Sequence, residues 1–246
     1  MTPGISTGLL ALAMTADAAF PLKDTGKVCV ADLGSNSLKI EIGEIHRGSY
    51  VQHHLSKKVV GVGDDMSATG RISEPKLAEI GRVLEGFAKK CRRHGAKRRL
   101  AVATAAYREA ANGSAVVGLA KERGFQLEVA SAERESQLAY LASTLGKPGQ
   151  AVLDAGSRTV ELVTRDEAGA FRFTEHPLGY RVSYRGFFEG AVTFSAAAAR
   201  YREELAEKLP DASLLRGKAE LFGLEIGKPA RFLRGKGPVH GVRITQ

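Results

Sequence analysis

The sequence predicts an α/β chain of two lobes with duplicated topology, on the strength of two observations. The first is an internal repeat. Val28 to Glu44, VCVADLGSNSLKIEIGE, matches Gln150 to Asp166, QAVLDAGSRTVELVTRD. Both read as an apolar strand, Asp-x-Gly-Ser, a polar pair and a second strand of alternating character. The second is the alternation of helix and strand patterns between the copies, the mark of a layered α/β architecture. In each copy an aspartate, Asp32 or Asp154, ends a buried-type strand, and the glycine that follows can take the positive φ of a tight turn. Backbone N–H groups and hydroxyls of such turns can cradle an anion, and duplicated lobes would set the two turns face to face across a cleft.

Between the copies, Ser73-Glu74-Pro75 starts a helix, with the serine as N-cap and the proline in the first turn. Leu77, Ile80, Leu84, Phe87 and Cys91 repeat at helical spacing, and Gly95 ends the helix. Leu100 to Thr104 reads as a buried strand, Ala115 to Arg123 as a helix and Phe125 to Ala130 as a strand. Ser131 caps a helix whose expected buried stripe is Leu138, Leu141 and Leu145. Gly146-Lys147-Pro148-Gly149 reads as a hinge. The expected organisation is an extension over residues 1–26, a first lobe over 27–147 and a shortened second lobe over 148–246. In the second lobe a strand falls near Phe171 to Thr174 and an alanine-rich helix around Ala196 to Leu209.

The 246 residues carry a formal net charge of +9, which favours polyanionic partners and says nothing about fold. Lys89, Lys90, Arg92, Arg93, Lys97, Arg98 and Arg99 crowd one helix end and the turn after it, where cations also suit the helix C-terminus. The run has no interleaved aromatics, so nucleic acid is not an expected partner. Cys29 and Cys91 have neither zinc-ligand nor redox-motif spacing; both are expected to be packing residues, with no disulfide framework. Gly8 to Met14 is a short apolar run followed by Ala16-Asp17-Ala18, a pattern like a signal-peptidase site, although no Lys or Arg precedes it and Met14 is a second candidate start. The expectation is an exported, periplasmic chain if residues 1–18 are a signal peptide, and a cytoplasmic one otherwise. No later stretch approaches the ~20 apolar residues of a membrane span.

Six segments taken in order resemble one family. They are DLGSNSLKIEIGE, ATAAYREAAN, ASAERESQLAYLAS, AVLDAGSRTVELV, HPLGYRVSYRGFF and the terminal VHGVRITQ, and they run from about Val28 to Gln246. Together they resemble the Ppx/GppA family of exopolyphosphatases and guanosine pentaphosphate phosphohydrolases. The resemblance implies the actin-like, ribonuclease H-like duplicated phosphotransferase fold. It implies a magnesium-dependent hydrolase that removes the terminal phosphate of polyphosphate or of a related phosphorylated ligand. It places Glu135 on the catalytic glutamate, as general base. Glu161 falls on the glutamate of the second loop, to orient water or to hold magnesium through a water. Phosphate binding falls to Asp32, Gly34, Ser35, Asn36 and Ser37, to Arg108, and to Asp154, Gly156, Ser157, Arg158 and Thr159. The implied magnesium ligands are Asp32, Asp154 and Glu161.

Each of these residues also has a plainer explanation. A glutamate in a first helical turn stabilises its helix, a strand glutamate can face solvent, and an aspartate at a turn bonds its own backbone. A lone arginine is more often a surface residue. Three departures bear on the implied activity. Ser157-Arg158 stands where the family has two glycines, LFGLEIGKPARF occupies the region of the family's Gly-Gly-Thr loop, and the resemblance ends at Val-His-Gly, short of the helices that usually continue. Arg158 swung aside would add a cationic clamp; turned inward, it would fill the pocket and pair with Glu135 or Glu161. Two readings therefore stand: a hydrolase, and a catalytically impaired polyanion-binding module on the same fold. An actin-like or sugar-kinase-like ATPase is the weaker idea, because no adenosine-side glycine loop is visible. Guanosine pentaphosphate would suit only a cytoplasmic chain.

Overall fold

The computed structural model describes residues 24–47, 49–144, 148–208, 221–224 and 242–244. They fall into two compact units that part between Leu138 and Ala139. The candidate signal segment over residues 1–18, Leu145 of the expected leucine stripe, Gly146 and Lys147 of the expected hinge, Leu209, and most of LFGLEIGKPARF and VHGVRITQ lie outside the described residues.

The first unit runs β1 (Val28–Leu33), β2 (Ser37–His46), β3 (Ser49–Val59), α1 (Val62–Asp65), α2 (Glu74–Arg93), β4 (Arg98–Ala103), α3 (Ala105–Glu109), α4 (Ala115–Glu122) and β5 (Gln126–Val129), then enters α5 (Ala132–Thr144). Its sheet has the order β3-β2-β1-β4-β5. β1 to β3 form an antiparallel meander, and β4 and β5 continue parallel to β1. α2 forms as its sequence dictates. Ser73 caps it, its Oγ accepting from the Lys76 amide at 3.4 Å, and Asp65 accepts in turn from the Ser73 hydroxyl at 2.8 Å. Gly95, at a φ of 73°, ends the helix where a side chain would be strained. The stripe Leu77, Ile80, Leu84, Phe87 and Cys91 is buried in one cluster with Leu38, Ile40 and Ile42 of β2.

Cys29 and Cys91 are not the unlinked packing residues expected from their spacing: they form a disulfide. β1 turns Cys29 into the cluster that α2 covers, and Cys91 is the last member of the buried stripe. Their Cα atoms lie 5.7 Å apart across a separation of 62 residues, within bridging range. Closing a loop of that length restricts the unfolded chain and stabilises the fold by about 4 kcal/mol.

The edge strand β3 carries a bulge opposite Ile42 and Gly43. It supplies Tyr50, whose ring lies over Gly43, where a Cβ would come within 2.5 Å of it. The Tyr50 hydroxyl and the Gln52 Nε2, the latter at 2.5 Å, both donate to Oε1 of Glu41. Glu41 is 2% exposed, and its Oε2 has no hydrogen-bond partner among the described residues.

The second unit repeats the plan. β6 (Ala151–Ala155), β7 (Val160–Arg165) and β8 (Phe171–His176) form the meander, followed by α6 (Tyr180–Ser183), a π turn (Tyr184–Phe188), α7 (Phe194–Lys208), β9 (Leu221–Leu224) and β10 (Val242–Ile244). The sheet order is β10-β9-β6-β7-β8, and β9 lies parallel to β6 as β4 does to β1. Ala139 and Tyr140, from the second half of α5, pack with Val152 and Val163, and Phe171 meets the Tyr140 ring edge-on at 5.5 Å. α5 does not carry the single leucine stripe expected. Leu138 is buried, Leu141 only half so, and Ser136, Ala139, Tyr140, Ala142 and Thr144 are buried as well. A helix covered on several sides shows no clean 3.6-residue pattern. Among the described residues no helix is long and apolar enough to cross a membrane.

Burial pushes the Glu41 carboxyl up from its ordinary value, against the pull of the hydrogen bonds from Tyr50 and Gln52. A carboxyl raised in the folded state binds its proton more tightly there than in the unfolded chain. The stability it contributes is complete below the unfolded pKa of about 4.5 and is lost as pH rises through the folded value. Glu41→Gln keeps the acceptor for Tyr50 and Gln52 but carries no charge. Urea unfolding should show the variant more stable than the parent at pH 7, with the difference closing toward pH 4; a difference independent of pH would contradict this.

Candidate functional site

The two Asp-x-Gly-Ser turns share a construction that neither sequence copy reveals. In the first, the Gly34 amide donates to the Ser37 carbonyl at 3.1 Å, and in the second the Gly156 amide donates to Thr159 at 2.9 Å. A segment behind each turn then takes up its remaining carbonyls. The amides of Val60 and Gly61 donate to the Asn36 carbonyl at 3.0 and 2.9 Å, and Gly63 donates to Ser35 at 2.8 Å. In the second unit Tyr180 donates to Gly156 at 3.1 Å, Arg181 to Ser157 at 3.0 Å and Gly179 to Arg158 at 2.9 Å. Gly61 and Gly179 are the N-caps of α1 and α6. The first amides of a helix have no partner within it, and here loop carbonyls satisfy them.

Peptide planarity gives this backing its consequence. The N–H of a trans peptide points opposite to its C=O. With the carbonyls of Ser35 and Asn36 held to the rear, the amides of Asn36 and Ser37 turn to the front. With those of Gly156, Ser157 and Arg158 held likewise, the amides of Ser157, Arg158 and Thr159 turn together to one side. Successive amides so turned make an anion-binding concavity. The construction also explains Gly179, where a Cβ would stand 2.3 to 2.5 Å from backbone atoms of Ser157 and Arg158.

In the first unit Arg108 and Glu135 meet. Thr104 ties the end of β4 to β1, its amide donating to the Leu33 carbonyl at 3.2 Å, and α3 begins from it. From α3 the Arg108 Nη1 donates to the Ala130 carbonyl at 2.9 Å and to Glu135 Oε2 at 3.1 Å. Ser131 caps α5 by accepting from the Arg134 amide at 3.1 Å, which leaves Glu135 in the first turn. Both side chains stay partly open, Arg108 at 24% and Glu135 at 20%. Asn112 serves the structure, since its side-chain amide donates to and accepts from the backbone of Ile72, at 2.9 Å each way.

The aspartates differ between the units. Asp32 is the cross-strand partner of Lys39, whose ammonium stands 3.5 Å from it. At the equivalent place Asp154 is paired with Glu161. Directly opposed residues of an antiparallel pair share a face, and like charges there are unfavourable without a cation or a proton between them. Glu161 is 2% exposed. Magnesium takes few carboxylates and keeps several waters, and carboxylates are the donors that Asp154, Glu161 and Asp32 offer; Asp32 has the Lys39 ammonium beside it. Among the described residues no cluster of three or more His, Cys, Asp or Glu is present.

Arg158 is half-buried, with its carbonyl fixed by Gly179. Tyr107, one residue before Arg108, carries no signal of its own in the sequence. It is 2% exposed, and its hydroxyl has no hydrogen-bond partner among the described residues. Burial, and then the charge of Asp32, raises its pKa above the usual phenol range.

Comparison with known proteins bears on the family and the fold. A family profile described as the Ppx/GppA phosphatase family matches residues 42–223. Exopolyphosphatase 2 of Mycobacterium tuberculosis is 26% identical over 175 residues, 62% of this chain and 55% of that protein. Exopolyphosphatase 1 of Mycobacterium leprae is 27% identical over 206 residues, 81% of this chain and 59% of that protein. The chain thus spans little more than half the length of these relatives. A crystal structure of the Aquifex aeolicus member of the Ppx/GppA family superimposes with a TM-score of 0.72 at 25% identity, covering 87% of this chain and 71% of that one. An exopolyphosphatase from Cytophaga hutchinsonii has the same fold, with a TM-score of 0.72 at 18% identity over 86% of this chain and 72% of that one. The duplicated, actin-like α/β fold expected from the sequence is the fold observed.

The backing of the second turn is open to a direct check. Gly179→Ala forces a methyl against backbone that has no rotamer to yield, and should destabilise the protein by about 1–3 kcal/mol. Gly186→Ala, where a Cβ meets nothing within 4 Å, should stay within about 0.5 kcal/mol. Equal unfolding midpoints for the two variants would contradict the construction.

Proposed function

The chain belongs to the Ppx/GppA phosphatase family, and on that footing we propose that it hydrolyses the terminal phosphoanhydride of polyphosphate or of a related phosphorylated chain. The observation that carries this reading is the Arg108–Glu135 contact at 3.1 Å, partly open and set beside an amide-lined turn. The exopolyphosphatase names of the relatives support polyphosphate as the substrate.

The chemistry requires an aligned water, a proton acceptor and neutralisation of the phosphoryl charge. Water attacks the terminal phosphorus, the P–O bond to the bridging oxygen breaks, and the shortened chain leaves with that electron pair. Glu135 accepts the water's proton. Arg108 holds Glu135 in place until a phosphate competes for the guanidinium, which binds phosphate well; the carboxylate released is then the stronger base. The amides of Asn36 and Ser37 receive phosphoryl oxygens of the substrate. Magnesium, when bound, would supply further neutralisation of phosphate charge; the family resemblance implies Asp32, Asp154 and Glu161 as its ligands. A second reading, a polyanion-binding module without turnover, is favoured by one feature: Arg158 brings a long cation onto a turn where close approach to phosphate calls for glycine.

Phosphate release from long-chain polyphosphate with magnesium separates the two. The parent should release phosphate, and Glu135→Gln should lower kcat by about 10²–10⁴-fold while still binding the polymer. Undiminished release by the variant would remove Glu135 from the reaction. Binding without release by the parent would favour the second reading.

A further inference from the structure

A groove runs along the edge of the first sheet, between β3 and α2, lined by Ser56, Lys57, Lys58, Arg82, Phe87 and Lys90 among others. The one carboxylate on its rim, Glu79, is paired with Lys76 at 2.8 Å. Lys57, Lys58 and Arg82 are exposed. Lys90 donates to Ser56 Oγ at 2.7 Å, which holds its ammonium over the groove. Below it, the His54 and His94 rings stand 5.2 Å apart. Burial first, and then Lys90 and further basic neighbours, lower the pKa of His54, a sign of positive potential at that end.

The usual reasons for surface lysine account for part of this only. Cations in the last turn of a helix suit its dipole, but Arg82 lies in the middle of α2. Lysines protect an edge strand from pairing, but Arg82 and Lys90 stand across the groove on the helix. Cations facing cations repel one another unless a counter-charge lies between them. From Arg82 to Lys90, both of which line the groove, the helix advances about 12 Å, longer than one phosphate and suited to a chain.

We propose that the β3–α2 groove binds the internal stretch of an inorganic polyphosphate chain, as an anchoring site separate from the turn that takes the chain's end. The inference rests on the polyphosphate reading above and adds a determinant of chain-length preference to it. Short substrates end before reaching the groove, so they gain nothing from it.

The test is binding of fluorescently labelled long-chain polyphosphate, and separately of tripolyphosphate, to the full chain at two salt concentrations. The triple variant Lys58→Ser, Arg82→Ser, Lys90→Ser should bind the long chain at least about tenfold more weakly, with a flatter salt dependence, and should bind tripolyphosphate as the parent does. A control triple, Lys121→Ser, Arg172→Ser, Arg202→Ser, removes equal charge from exposed positions elsewhere and should match the parent. Serine in α2 and the loss of Lys90 from its last turn cost some stability, so binding is measured well below the melting point of the groove triple, where its far-ultraviolet dichroism should match that of the parent. Equal loss in both triples, no loss in the groove triple, or a loss that extends to tripolyphosphate would each overturn the inference. A parent that binds an RNA oligonucleotide but not polyphosphate would overturn it too. Binding is read without turnover, so failure of the Glu135 experiment leaves this result standing.

Discussion

The site depends on where six amides point. Val60, Gly61 and Gly63 in the first unit, and Gly179, Tyr180 and Arg181 in the second, give their N–H groups to carbonyls of the adjacent turn. A helix start has amides to dispose of and a tight turn has carbonyls to dispose of; each satisfies the other. The result fixes the turn through its carbonyls.

Duplication supplied two such turns, and they have diverged in charge. Opposite Asp32 stands Lys39, a cation built into the chain; opposite Asp154 stands Glu161, a second carboxylate. One half sets opposite charges across the strand pair, while the other sets two carboxylates there. The same separation of seven residues thus gives two electrostatic environments on one backbone plan. Arg158 adds a cation to the second turn, where it bears on how that charge is balanced.

What can be read from the sequence is local. The repeated Asp-x-Gly-Ser announces its turn because glycine geometry and neighbouring strands suffice to make one. α2 is legible because Ser73, Pro75, the apolar stripe and Gly95 all agree. The Cys29–Cys91 bridge is not, because it depends on which face of β1 meets which face of α2, and a separation of 62 residues carries no trace of that. β3 escapes because its bulge and its run of polar residues break the alternation by which strands are recognised. Arg108 and Glu135 each stand out by family resemblance, but their contact follows from the pairing of β4 with β5, which brings Ala130 beside Arg108. Tyr107 is hidden because an aromatic in a short helix looks like core, and nothing local shows that its hydroxyl lacks a partner.

The central claim is that the backed turns present their amides to phosphate, and amide NMR tests it most directly. Titration of the full chain with pyrophosphate should shift the N–H signals of Asn36 and Ser37, and those of Ser157, Arg158 and Thr159, while Val60, Gly61, Gly179, Tyr180 and Arg181 keep their protection from hydrogen exchange. Shifts confined to other amides, or rapid exchange at the backing residues, would contradict the account.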